Sequence, residues 1–98
     1  MTPDETGTAA LLKSRMEYLE MLGAELAGRG FRVRITLPRD QAPSLHVTNP
    51  DASALSENIL AEEGPDGWWF WWSWAERIAP AADVTVAAER VALVLAVQ

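Results

Sequence analysis

Phe31-Arg32-Val33-Arg34-Ile35-Thr36-Leu37 alternates apolar and polar positions without a break, the two-residue period of a strand with one buried and one wet face. The pattern places Phe31, Val33, Ile35 and Leu37 inward and Arg32, Arg34 and Thr36 outward. Ser44 to Thr48 repeats it, with Leu45 and Val47 inward and Ser44, His46 and Thr48 outward. The connection from Pro38 to Pro43 is too short for a crossover helix, so the two strands are expected to be antiparallel. Before them the period changes: Leu11, Leu12, Met16, Leu19, Leu22 and Leu26 recur at three- and four-residue steps. That spacing predicts an amphipathic helix from Ala9 to Arg29. Thr8 would be its N-cap, Glu25 and Arg29 an ion pair one turn apart, and Gly28 and Gly30 its stop. Residues 1–8 lack the period and read as a flexible tail, leaving 9–98 as a single domain.

The remaining pattern is dominated by Trp68-Trp69-Phe70-Trp71-Trp72-Ser73-Trp74, which holds all five tryptophans of the chain. Bulky aromatic side chains suit a pleated strand. In a strand, Trp68, Phe70, Trp72 and Trp74 share one face, and Trp69, Trp71 and Ser73 the other. Glu63 to Gly67 has the glycine and proline of a hairpin loop leading into the run, and Glu57 to Glu62 is the strand before it. Asn49-Pro50-Asp51 reads as a turn and Ala52 to Leu55 as one turn of helix. Ser73-Trp74-Ala75-Glu76 fits a capping box, so residues 74–79 either form a short helical turn before Pro80 or prolong the strand. Asp83 would cap a closing helix whose apolar face is Val84, Ala87, Ala88, Val91, Val94 and Leu95. The order α-β-β-β-β-α predicts a two-layer α+β domain, with both helices on one face of an antiparallel four-stranded sheet.

Composition narrows this picture. A chain of 98 residues, 49% hydrophobic and 22% charged, has room for one globular core. Without cysteine there are no disulfides, thiol nucleophiles or thiolate metal sites. The polar, acidic start lacks the basic and apolar regions of a signal peptide, and no apolar run is long enough to span a bilayer, which together predict a cytoplasmic protein. The net charge of −6 opposes polyphosphate binding.

Pro43-Ser44-Leu45-His46-Val47-Thr48-Asn49-Pro50, Leu55-Ser56-Glu57 and the stretch from Trp68 to Pro80 resemble a family of short bacterial proteins. The likeness covers roughly residues 9–97 and implies a complete α+β domain. It implies no activity, cofactor or functional residue.

Candidate chemistry is sparse. His46 is the only histidine, and Ser44 lies two positions away on the same strand face. A serine-histidine-acid set would need Ser44 or Ser73 against the ring and Asp40 or Asp51 behind it, and no nucleophile-elbow pattern accompanies them. A metal would have to recruit His46 with Glu57, Glu62 or Glu63, which have no ligand spacing. Glycine-rich phosphate motifs are absent too. No enzyme, metal or cofactor is therefore expected. The aromatic face carries more information. Two unburied indoles expose on the order of 400 Å², near the largest apolar patch a soluble monomer shows. Both faces of the tryptophan strand would be core if the strand were covered from either side. Otherwise Trp69 and Trp71, sharing a sheet face with Arg32, Arg34 and His46, form an interaction surface. That predicts a non-catalytic, adaptor- or chaperone-like protein-binding module. A homodimer would cover this sheet face or the edge that the tryptophan strand would make in a simple meander. The alternative is a tryptophan platform for a sugar or planar ligand, oriented by Arg32, Arg34 and His46.

Overall fold

The computed structural model describes residues 3–96, with side-chain surroundings for residues 9–96. A long helix, α1 (Pro3–Gly28), is followed by five strands: β1 (Arg32–Thr36), β2 (Ser44–Asn49), β3 (Ala52–Gly64), β4 (Gly67–Trp72) and β5 (Arg77–Pro80). Helix α2 (Val84–Val94) follows. The fold is α+β. The strands form one open antiparallel sheet in chain order.

Alternation sets the two faces. Val33 lies opposite Val47 and Ile35 opposite Leu45. Leu45 in turn faces Ile59, which faces Trp72, while Ala61 faces Phe70. These side chains join Leu19, Leu22 and Leu26 of α1 and Ala87, Ala88 and Val91 of α2 in one core. Both helices thus pack on the same sheet face. A Cβ at Gly23 of α1 would sit 3.2 Å from Leu45 Cδ1, so glycine lets the helix settle onto the sheet there.

Local polar bonds hold the ends together. Asn49, the one buried polar residue among those described, donates from Nδ2 to the Leu95 carbonyl at 2.7 Å. Its Oδ1 accepts from the backbone N–H of Asp51, so one side chain ties the β2–β3 turn to the end of α2. At the other end of the sheet, the Arg15 guanidinium reaches the Ala61 carbonyl and Glu62 Oε2, each at 2.9 Å. Tyr18 packs on Trp68 with ring centroids 5.3 Å apart.

Several elements differ from the sequence pattern. There are five strands, not four: residues 73–76 form a tight turn rather than a capped helix or a continued strand. Ala75 has φ 67°, and the Trp72 N–H donates to the Glu76 carbonyl at 2.8 Å, which sends the chain back as β5. The tryptophan strand is consequently an interior strand and not an edge. Ala52–Leu55 belongs to β3, because pairing with β2 outcompetes an isolated helical turn. Helix α1 starts at Pro3 rather than after Thr8. Proline suits the first helical position.

Leu11 and Leu12, assigned inward by period, are exposed on α1. Leu37 and Val94, assigned inward by period, are also exposed, since one follows the end of β1 and the other points away at the end of α2. Asp83 precedes α2 but makes no side-chain cap bond. Glu25 and Arg29 form no ion pair, because α1 ends at Gly28 before Arg29. Among the described residues no helix is long and apolar enough to cross a membrane.

Candidate interaction surface

The sheet face away from the helices takes the alternate residues of every strand. Arg32 lies opposite Thr48, which lies opposite Ser56; Arg34 lies opposite His46, which lies opposite Asn58. Glu62 lies opposite Trp69, and Leu60 opposite Trp71, which pairs with Arg77. All five residues singled out by the sequence, Arg32, Arg34, His46, Trp69 and Trp71, therefore share this face. They do not form one site.

One end is aromatic. Trp69 and Trp71 are each half-buried, and the Arg77 guanidinium carbon lies 4.5 Å from the Trp69 ring and 5.2 Å from the Trp71 ring. A cation over an indole within about 6 Å is attracted by the ring quadrupole. The same arginine lies 3.7 Å from Asp66 in the β3–β4 turn. Trp69 Nε1 is buried and has no hydrogen-bond partner among the described residues. Beside Trp71 lies a depression of about 300 Å³ lined by Leu60, Ser73 and Ala75. The indoles are thus neither free in water nor enclosed by their own chain.

The other end is basic. Arg32, Val33, Arg34, His46 and Thr48 line a shallow depression of about 290 Å³. His46 Nδ1 lies 2.9 Å from Asn58 Oδ1, so the ring is engaged with a neighbouring amide rather than with Ser44 or a carboxylate. Of the three strand carboxylates, Glu57 and Glu63 fall on the helix-side positions of β3. Only Glu62 falls on the open face, already bridged by Arg15. Among the described residues no group of three or more histidines and carboxylates is placed to hold a metal ion.

Spacing decides between ligand sizes. Arg34 on β1 and Trp71 on β4 are three strand spacings apart, about 14 Å, which is wider than a sugar ring. Arg77 also already occupies the indole faces on which a planar ligand would stack. A macromolecular surface can span both ends; a single small ring cannot.

Sequence reasoning missed Arg77 and Leu60 on this surface. Leu60 alternates with Ile59 on β3 and was legible as an outward position. Arg77 was hidden by the capping-box reading of Ser73 to Glu76. No protein-family model, curated protein or solved structure matches this chain.

Proposed function

We propose that the chain is a non-catalytic protein-interaction module that self-associates through the aromatic end of its open sheet face. The observation that carries this reading is the half-buried pair Trp69 and Trp71, side by side on the face that neither helix covers. Charge at this end is locally balanced, Arg77 by Asp66 and Glu62 by Arg15, so a second copy can approach without opposing like charges. Stable interfaces bury roughly 800 Å² per partner, about twice what two indoles supply. Leu60, Arg77 and the depression beside Trp71 must therefore join the contact, and the dimer is expected to be of modest affinity.

Light scattering tests this directly. The measured mass should rise toward twice the chain mass with concentration, and Trp69→Ala combined with Trp71→Ala should hold it at one, with the circular dichroism spectrum retained. A wild-type mass that stays monomeric up to the solubility limit sinks the proposal.

A further inference from the structure

We propose that the outer edge of β1 captures an extended segment of a different protein as an added strand, and that this segment alternates acidic and apolar residues. The inference does not rest on self-association through the indoles, because it uses the β1 edge, three strands away from β4. Strand β1 ends the sheet, with β2 as its only neighbour. No other backbone hydrogen bond reaches Arg32–Thr36 among the described residues. An unpaired edge of this kind offers a row of N–H and C=O groups to any extended chain.

The side chains flanking the edge select what binds. Beneath β1, between it and α1, runs an apolar groove of about 390 Å³ lined by Gly23, Ala24, Ala27, Val33, Ile35 and Leu45. The helix lines it with Leu19, Glu20, Gly23, Ala24 and Ala27, and the three small residues leave room for side chains arriving from outside. Glu20 and Arg34 also border this groove with opposite charges, so its apolar lining decides in favour of an apolar residue. On the other face Arg32 and Arg34 are exposed, and the only strand carboxylate of that face is engaged by Arg15. An added strand sends alternate residues to the two faces. Its inward residues should be apolar and its outward residues acidic, opposite Arg32 and Arg34.

Charge also excludes the obvious competitor. A second copy pairing β1 with β1 would set arginines of one chain beside arginines of the other on the same face, and like charges across strands are destabilising. The edge is therefore built for a complementary strand rather than for its own sequence.

The test uses the intact protein and a dye-labelled peptide alternating valine and glutamate, with an alternating valine–lysine peptide as control. Fluorescence anisotropy should show binding of the first and not the second, weakening as salt is added. Backbone amide shifts should concentrate at Arg32–Thr36 and along the groove at Ala24 and Ala27. Reversing two cross-strand charge pairs with Arg32→Glu and Arg34→Glu should weaken binding about tenfold and transfer preference to the valine–lysine peptide. Ala27→Leu, at an exposed helix position, should fill the groove and weaken binding without altering the spectrum of the free protein. Lack of binding, equal affinity for both peptides, or shifts confined to Trp69 and Trp71 would overturn the proposal. So would β1 amides protected from exchange in the free protein and exposed on dilution, which would place a second copy on the edge. The double tryptophan variant should still bind the acidic peptide, so failure of self-association and failure of strand capture are read separately.

Discussion

The two edges of the sheet are treated in opposite ways. Strand β5 is four residues long, ends in Pro80 and is crossed by Arg90 of α2, whose guanidinium donates to the Ile78 carbonyl. Ile78 and Ala79 are buried. Strand β1 has five residues, no proline and no side chain bonded to its backbone among the described residues, and its inward residues Val33 and Ile35 stay half-exposed. Short length, proline and side-chain cover are the usual means of protecting a sheet edge from unwanted pairing. This molecule places the proline and the side-chain cover on one side, leaving the other with only its arginines. The contrast gives β5 a structural role and leaves β1 available.

The same truncation at both edges exposes the difference most strongly. Ile78→Ala removes a side chain that is only 2% exposed, and should cost about 2–5 kcal/mol through lost burial and the cavity left behind. Ile35→Ala removes one that is only partly buried against the core, and should cost less, about 1–2 kcal/mol. Urea titration of each variant by tryptophan fluorescence measures both values. Equal losses would mean that β1 is as well covered as β5, and the contrast would fail.

Much of this arrangement was legible from periodicity, and the part that was not has a physical reason. Alternation in Phe31–Leu37 and Ser44–Thr48 gave β1, β2 and their inward faces, because side-chain period survives in any antiparallel register. The same alternation correctly separated Trp69 and Trp71 from Phe70 and Trp72. Strand β5 was not legible. Arg77-Ile78-Ala79-Pro80 is too short to display a period, and Ser73 to Glu76 satisfies a capping box as readily as the tight turn it makes. Pairing with β4 decided between them, and that is a non-local term. Burial along α1 was overestimated for a related reason: Leu11 and Leu12 keep the helical period but are exposed, and period alone does not say how far along a helix the core extends. The candidate surface suffered from the same gap, since placing Arg77 over the indoles requires knowing that the chain turns back.

The cover on β5 can be removed without touching the core. Arg90→Met keeps much of the aliphatic stem and deletes the bond to the Ile78 carbonyl. A charge-assisted hydrogen bond to a partly buried carbonyl makes a net contribution of about 1–2 kcal/mol, which should appear as a lower urea midpoint with an unchanged slope. Hydrogen exchange should quicken in β5 and α2 while the β1 amides keep their wild-type rates. If exchange in β1 rises as well, the edges are coupled and cannot be regarded as separately protected.

The smallest effect distinguishes arginines of the same chemical type at the two sides. Arg77 lies over two indole rings at 4.5 and 5.2 Å, whereas among the described residues neither Arg32 nor Arg34 has an aromatic ring beneath it or an ion-pair partner. Exposed cation–π contacts are worth about 0.5–1 kcal/mol, so Arg77→Met should lower stability by roughly that amount and alter the tryptophan emission. Arg34→Met should leave stability within about 0.5 kcal/mol and leave emission unchanged. The relevant measurement is the difference between the two variants, taken by urea titration in one buffer. A loss at Arg34 as large as that at Arg77 would show that Arg34 already has work within the fold, and would remove the reason for keeping it free to meet a partner's carboxylates.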